Sequence, residues 1–232
     1  MSTFNIFPNL IAVDGPDGAG KSIFTKILTA ELQNIYDFKK VRLVKPSYFN
    51  TCSQAQQVGV ELSEIQGKID KDSEHHNSFF LKAMKVNYEN VVLPALKKGQ
   101  IVILDSSEIR ALAFVFCNSE SVAVKDTINR IKNGYLTCSA LPKIRILLFG
   151  KVYDLQKNLF TKVNLDEGDP QNIAEIQQRI YFYQKAIKII REQSYNSKIN
   201  WVEINVQHTK NLLNEYHLNI IRTQLIPKLK FN

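Results

Sequence analysis

Eight residues near the start of the chain, Gly-Pro-Asp-Gly-Ala-Gly-Lys-Ser at positions 15–22, have the types and spacing of a phosphate-binding loop. The pattern G-x-x-x-x-G-K-[ST] is met at its four fixed positions, Gly15, Gly20, Lys21 and Ser22. Glycines let the backbone turn tightly and point N–H groups inward, and a helix that starts at the loop adds the positive end of its dipole. We therefore expect a nucleoside triphosphate here, with Lys21 at the β- and γ-phosphates and the Ser22 hydroxyl on Mg²⁺. The predicted phosphate contacts are Gly15, Pro16, Asp17, Gly18, Ala19, Gly20, Lys21, Ser22 and Ile23.

The segments on either side of this loop have the patterns that it requires. Residues 10–14 are apolar and rich in β-branched side chains, which predicts a buried strand. Residues 20–36 are amphipathic at helical spacing. Strand, loop and helix in this order separate a P-loop from a glycine-rich turn that binds nothing.

Five apolar runs alternate with helical segments along the chain. The predicted strands are residues 10–14, 41–44, 101–105, 144–149 and 201–206. The predicted helices are residues 20–36, 54–66, 78–98 with a kink near Pro94, 107–116, 122–133, 153–162, 173–192 and 209–225. This alternation predicts an α/β fold, a five-stranded parallel sheet with helices on both faces. No repeat or low-complexity linker interrupts it, so we expect a single domain over residues 1–232.

Three polar features follow the predicted strands. The P-loop follows the first strand, Lys45 and Pro46 follow the second, and Asp105 ends the third. Ligands of open parallel sheets bind at the carboxyl ends of the strands, so one cleft should collect all three. We expect Asp105 to hold the Mg²⁺ ion together with Ser22.

The composition narrows the possible partners and the location. The formal net charge is +8, but the lysines are scattered and form no basic-aromatic stripe, so nucleic acid is not an expected partner. No apolar run reaches the roughly 18 residues of a membrane span. The first residues lack the basic and apolar regions of a signal peptide, which predicts a cytoplasmic protein. The three cysteines indicate neither a disulfide framework nor a zinc site.

Among P-loop proteins, the sequence favours a small kinase. A GTPase would carry N-K-x-D after a late strand and D-x-x-G after the third, and Asp105 is followed by Ser-Ser-Glu. A kinase needs an ATP cradle, a second phosphate site opposite it and a lid that excludes water. The polar stretch at about 151–172 lies where such a lid is expected.

These residues resemble the thymidylate kinase family of nucleoside monophosphate kinases. The P-loop with Asp17 and the proline at Pro46 are similar to that family's motifs, and further similar segments are 79–81, 93–105, 113–114 and 182–187. The resemblance implies a nucleotide-kinase-like architecture and ATP- and Mg²⁺-dependent phosphorylation of a nucleoside monophosphate, dTMP to dTDP in the family. It also implies a homodimer, contact of Asp17 with the nucleotide sugar, and stacking of Phe80 on the acceptor base.

The chain departs from that family where the family grips its acceptor. The family reads D-R-[YFH] where this chain has Asp105-Ser106-Ser107, and Met84 stands at the position of the base-reading arginine. The arginine near Pro46 is also missing, with Tyr48 at one of the two candidate positions, and no arginine occurs in residues 163–172. Guanidinium forks are hard to replace, and Lys45 and Arg110 are the nearest cations.

These comparisons give the predicted site. The catalytic residues are Lys21, Asp17 and Arg110, and the metal ligands are Ser22 and Asp105. The acceptor contacts are Asp17, Lys45, Pro46, Tyr48, Phe80, Met84, Asp105 and Arg110, and the lid cations are Lys162 and Arg179. Two alternatives stay open: a P-loop kinase for a different nucleotide or nucleoside, and a nucleotide-binding homologue with little catalysis.

Overall fold

The structure is a computed structural model that describes residues 4–46, 48–66, 74–118, 121–160, 170, 172–193, 197–206 and 213–229. The strands are β1 Asn5–Asp14, β2 Val41–Val44, β3 Ile101–Asp105, β4 Ala140–Gly150 and β5 Asn200–Val206. The α-helices are α1 Lys21–Tyr36, α2 Ser53–Gln66, α3 Glu74–Asn87, α4 Leu93–Lys97, α5 Glu108–Asn118, α6 Ser121–Lys132, α7 Val152–Phe160, α8 Ile173–Arg191 and α9 Leu213–Ile220.

The strands form one parallel sheet in the order β2-β3-β1-β4-β5. This confirms the predicted five-stranded parallel sheet. β1 is central, and its residue Val13 pairs with Asp105 at the end of β3. Because the two strands end side by side, the loop after β1 and the carboxylate of Asp105 lie at the same edge of the sheet.

Side chains of β1 point alternately into two buried layers. Leu10 and Ala12 pack in a layer with side chains of α3, α5 and α8, whereas Ile11 and Val13 pack in a layer with those of α1, α7 and the C-terminal helical segments. All four side chains are fully buried. Burial on both faces is why this strand reads as a continuous apolar run rather than as an alternating one.

β1 begins five residues before the predicted strand. Its first half, Asn5–Asn9, contains Pro8 and two asparagines, which hide the strand from a search for apolar runs. This half still pairs with the early part of β4, and the register shifts between Phe7 and Ile11. Pro8 is exposed and lies at this irregularity, a place where a strand tolerates proline.

The long helix predicted over 78–98 is present but divided. α3 is followed by a π-helical turn, Tyr88–Val92, and then by the short α4, in which Pro94 is the second residue. Proline cannot donate a backbone hydrogen bond, so a change of helical pattern next to it is expected. Gly99 then ends the segment with a φ of 73°, and Gln100 N donates to Ala95 O at 3.0 Å. The helical pattern is thus interrupted next to Pro94, where a kink was predicted.

The end of the chain has the predicted helical character. α9 is followed by a π-helical turn, Ile221–Leu225, and a 3₁₀ turn, Ile226–Lys228. The beginning of the helix predicted over 209–225 lies outside the described residues, as do residues 161–169 and 171 of the predicted lid. Within the described part of the chain, no helix is both long and apolar enough to cross a bilayer.

Candidate active site

The P-loop joins β1 to α1 and is pressed against the neighbouring elements. A Cβ atom on Gly15 would lie 2.4 Å from the carbonyl oxygen of Leu148 in β4. Gly18 has a φ of 81°, and a Cβ there would lie 2.4 Å from the carbonyl oxygen of Leu155 in α7. A side chain at either position would displace backbone, so close packing explains why glycine stands there.

Lys21, the first residue of α1, folds back across this loop. Its Nζ donates a hydrogen bond to Pro16 O at 2.9 Å and lies 3.6 Å from Asp17 Oδ1. The side chain is only 8% exposed. Burial lowers the pKa of Lys21, and the neighbouring Asp17 carboxylate partly offsets this effect. The ammonium group is therefore held over the loop by a carbonyl oxygen and a carboxylate, both of which a phosphate could replace.

Ser22, Asp105 and Lys45 converge beside Lys21. Ser22 Oγ donates to Asp105 Oδ2 at 2.9 Å. Lys45 Nζ lies 3.3 Å from the same carboxylate oxygen and 3.5 Å from Ser22 Oγ. The predicted sheet brings these side chains together: Asp105 ends β3, Lys45 directly follows β2, and Ser22 lies in the first turn of α1, after the P-loop that follows β1.

The hydroxyl of Ser22 and the carboxylate of Asp105 fit a magnesium ion. Both offer oxygen atoms as metal ligands, and the Lys45 ammonium group beside them shows that the position suits a cation. The described residues contain no group of three or more His, Cys, Asp or Glu side chains suited to a metal. A site with one carboxylate agrees with Mg²⁺, which is usually bound by one or two carboxylates together with water and substrate phosphates.

The loop that carries Lys45 is hydrogen-bonded to Asn87. This residue is fully buried in α3, and its Nδ2 donates to Pro46 O at 2.7 Å and to Tyr48 O at 2.8 Å. Tyr48 is 40% exposed, and Lys45 Nζ lies 4.7 Å from the centre of its ring. Our sequence analysis missed Asn87. The available signal is an amide on the apolar face of a helix, three residues after Met84.

Asp17 and Arg110 face the same cleft. Asp17 Oδ2 lies 3.8 Å from Arg179 Nη1, so the helix that follows the predicted lid is joined to the P-loop. Arg110 on α5 is half-buried. Burial lowers the pKa of Arg110, but the nearby Tyr183 and Asp17 more than compensate, and the pKa is raised. Arg110 is therefore half-buried near Asp17 and Tyr183 rather than on a fully solvated helix face.

The remaining predicted acceptor residues lie on or near α3. Phe80 is half-buried and stacks on Phe114, with ring centres 5.2 Å apart and an interplanar angle of 26°. Met84 is fully buried in the core layer that contains α3 and α5, so it presents no exposed surface to a ligand. Pro46 is also buried, and its carbonyl oxygen accepts a hydrogen bond from Asn87 Nδ2. The predicted lid cation Lys162 lies outside the described residues.

A buried polar cluster behind the P-loop was not predicted. Asp14, the last residue of β1, accepts hydrogen bonds from Ser107 N at 2.8 Å and from Ser107 Oγ at 2.6 Å. Arg145 in β4 donates to Ser107 Oγ at 3.0 Å and forms an ion pair with Glu108. Burial raises the pKa of Asp14 to about 6, although Arg145 and Ser107 act in the opposite direction. The signal in the sequence is a single arginine within the apolar run of β4.

Comparison with known proteins agrees with this architecture. No protein-family model matches the chain. Over 95 residues the chain is 32% identical to the thymidylate kinase of Mycoplasma mobile, and the match covers 41% of this chain and 44% of that enzyme. The chain thus spans less than half the length of this relative.

A solved structure, that of thymidylate kinase from Ehrlichia chaffeensis, has the same fold. It superimposes with a TM-score of 0.60 over 94% of this chain and 98% of that chain, at 16% sequence identity. The predicted P-loop nucleotide-kinase architecture is confirmed, and the resemblance predicted from the motifs is found again in both sequence and structure.

Proposed function

We propose that this protein is a nucleoside monophosphate kinase that transfers the γ-phosphoryl group of ATP to dTMP. The observation that carries the proposal is the convergence of Lys21, Ser22, Asp105 and Lys45 at one edge of the sheet. The P-loop supplies the phosphate cradle at that edge. The similarity to two thymidylate kinases, one in sequence and one in fold, supports this choice of acceptor.

On the donor side, the P-loop holds the triphosphate of ATP. Main-chain N–H groups within residues 15–23, other than Pro16, which has none, and the N-terminus of α1 contact the phosphate oxygens. Lys21 exchanges the carbonyl of Pro16 for phosphate oxygens and stabilises the charge on the transferring group. Asp17 is released from Lys21 in the same step and is then able to contact a sugar hydroxyl.

Ser22 and Asp105 would hold Mg²⁺, with Ser22 as a direct ligand and Asp105 acting through water. When bound, the ion supplies neutralisation of the phosphate charge. Lys45 must leave the pair of oxygens that it now contacts. Its flexible side chain then has the reach to bind the acceptor phosphate on the same side of the cleft.

On the acceptor side, Lys45 and Arg110 bind the phosphate of dTMP, and Phe80 packs on the base. An oxygen of that phosphate attacks the γ-phosphorus of ATP, and the bond from this phosphorus to the bridging oxygen of ADP breaks. The attacking oxygen is already anionic, so no general base is required, and catalysis consists of positioning and charge stabilisation. Arg179 and the lid complete the enclosure of the phosphates.

The position that reads the base in the family favours a second candidate function. Met84 stands there in place of the arginine, carries no charge and is buried in the core, so it does not contact the base. An acceptor other than dTMP is the second candidate function because of this observation. Phe80 with its partner Phe114 offers a stacking surface that suits any base.

Further parts of the proposal concern the whole molecule. We infer one kinase domain over residues 1–232, a cytoplasmic location and a homodimer. Leu112 and Phe116 of α5 are buried in the core of the chain, so a dimer interface would have to use other side chains. Light scattering of the purified protein will establish the oligomeric state.

The test is an ADP-release assay with Mg²⁺ and ATP across dTMP, dUMP, other nucleoside monophosphates and free nucleosides. We expect turnover with dTMP above all other acceptors. Preference for another monophosphate or for a nucleoside would favour the second candidate. Binding of ATP without turnover of any acceptor would overturn the assignment as an enzyme.

A further inference from the structure

The buried polar cluster of Asp14, Ser107, Glu108 and Arg145 joins three elements directly behind the P-loop. Each of its four side chains is at most 1% exposed. Asp14 ends β1 and precedes the P-loop, Ser107 and Glu108 begin α5, and Arg145 lies in β4. The cluster therefore connects the donor loop to the helix that carries Arg110.

Ser107 is the centre of this cluster. Both its backbone N–H and its hydroxyl donate to the carboxylate of Asp14. The same hydroxyl oxygen accepts hydrogen bonds from Arg145 Nη1 at 3.0 Å and from Ile109 N at 3.3 Å, the second of which caps α5. The first turn of α5 is thus tied to β1 and β4 by side-chain contacts as well as by its own backbone.

Arg145 is the charge on which the cluster depends. One of its terminal nitrogens holds Ser107 and the other pairs with Glu108. Its charge offsets those of Asp14 and Glu108, whose side chains are closed to bulk solvent. A carboxylate left in such a place without its partner is strongly unfavourable.

The backbone directs the start of α5 toward the cluster. Ser106 has a φ of 80°, in the left-handed region that serine seldom adopts, and its N–H donates to Val13 O at 2.9 Å. This turn sends Ser107 into the interior. Glu108 and Ile109 are also buried, so Arg110 is the first residue of α5 with exposed surface. Its backbone N–H bonds to Ser107 O at 3.1 Å.

We propose that Arg145 is a positioning residue for Arg110, and acts through Ser107 and Glu108 to hold the first turn of α5. The acceptor phosphate is then met by Arg110 at a fixed distance from the P-loop. The inference rests on the proposed function, since that function assigns the acceptor phosphate to Arg110. Displacement of a phosphate-binding group by about 1 Å is sufficient to reduce activity by about 100-fold.

The test is a double-mutant cycle read by calorimetric binding of dTMP to the full-length protein. We expect Arg110→Met to weaken dTMP binding by about 30-fold, as for loss of a charge-assisted contact. Arg145→Met should weaken it by about 10-fold. The double variant should bind dTMP no more weakly than Arg110→Met alone, because Arg145 has no other route to the ligand.

Arg191→Met is the matched control. Arg191 lies over the same indole as Arg145, with distances to the Trp201 ring centre of 4.6 Å and 5.5 Å respectively. It pairs with Glu203 at the surface instead of with the start of α5. Its replacement should leave dTMP binding unchanged.

The outcomes separate the inference from the function that it rests on. If Arg110→Met weakens binding and the effects of the two substitutions multiply, the positioning role is wrong and the proposed function stands. If dTMP does not bind to the wild type, both fail. If Arg110→Met binds dTMP normally, Arg110 does not hold the acceptor phosphate and the positioning role is wrong, while the proposed function stands on Lys45. If circular dichroism shows that Arg145→Met is unfolded, the double substitution Arg145→Met with Glu108→Gln replaces it in the cycle. Glu108→Gln removes one of the two buried carboxylates that would otherwise lose the Arg145 charge.

Discussion

The two sides of the cleft are held in different ways. On the donor side, local sequence provides the binding groups, because Lys21 and Ser22 follow directly on the glycines that shape the loop. On the proposed acceptor side, the cations Lys45 and Arg110 come from separate elements, and buried polar residues contact the segments that carry them. The comparison teaches that the proposed donor site depends on consecutive residues, whereas the proposed acceptor site depends on side chains that the core must hold.

Replacement of Lys21 should produce the largest effect. Lys21→Ala removes the ammonium group that stabilises the transferring charge, and we expect a fall in kcat of about 1000-fold. The thermal midpoint should change little, because Asp17 keeps its ion pair with Arg179 and the cost of burying the Lys21 ammonium is removed with it. Lys26→Ala, five residues later in α1 and exposed, is the matched control and should retain full activity. Equal losses in both variants would show that the donor side is not built on Lys21.

A smaller loss should follow from Asp105→Asn, which tests the residue that both sides share. Its carboxylate contacts Ser22 and Lys45. Loss of a group that acts on a metal ion through water typically reduces activity by about 10- to 100-fold, so we expect a fall in kcat of about 100-fold. Calorimetry of ADP binding with and without Mg²⁺ gives the result independently of turnover. If the gain in ADP affinity on adding Mg²⁺ is as large in the variant as in the wild type, Asp105 has no part in the metal site.

The two faces of the sheet should respond to acid in opposite directions. His217 packs edge-on against Phe24 of α1, and neither ring nitrogen has a hydrogen-bond partner among the described residues. Burial lowers the pKa of His217 to about 4, so its contribution to stability is lost as pH falls below about 6.5. The raised pKa of Asp14, about 6, has the reverse effect, because protonation of this buried carboxyl favours the folded state.

Between pH 7 and pH 5 these effects should be of similar size, with His217 contributing a loss of about 2 kcal/mol and Asp14 a gain of about 1 kcal/mol. Urea unfolding of His217→Leu should therefore give a free energy of unfolding that rises toward pH 5. The wild type should change much less. Parallel pH curves for the two proteins would show that His217 is not the acid-sensitive group of the α1 face.

The smallest effect should come from Asn87, which supports the acceptor side. Asn87→Ala removes two hydrogen bonds to the loop of Lys45, each contributing about 1 kcal/mol, and should raise the KM for dTMP by about 10-fold. Asn90→Ala is the control, because among the described residues the Asn90 amide bonds to Val86 O of its own helical segment and not to the Lys45 loop. An unchanged KM in Asn87→Ala would indicate that the loop keeps its shape without this support.

Much of this protein was predictable because its signals are local. The strands at 41–44 and 101–105 were predicted with the bounds that the structure has, and the parallel sheet followed from their alternation with helices. Met84 was predicted to contact the phosphate acceptor, but the structure places its side chain in the core. The helical spacing that sets Met84 one turn after Phe80 suits both positions. The roles of Lys162 and the lid remain predictions.

By itself, the sequence determined the P-loop, the class of fold and the carboxylate at the end of β3, because each depends on neighbouring residues or on a simple period along the chain. Only the tertiary structure decided that Asn87 supports the Lys45 loop and that Arg145 reaches the first turn of α5. Such contacts join residues about 40 positions apart, as with Asn87 and Pro46 or Arg145 and Ser107. Their energy comes from burial, where an unpaired amide or charge is costly, and burial is set by how the helices pack on the sheet.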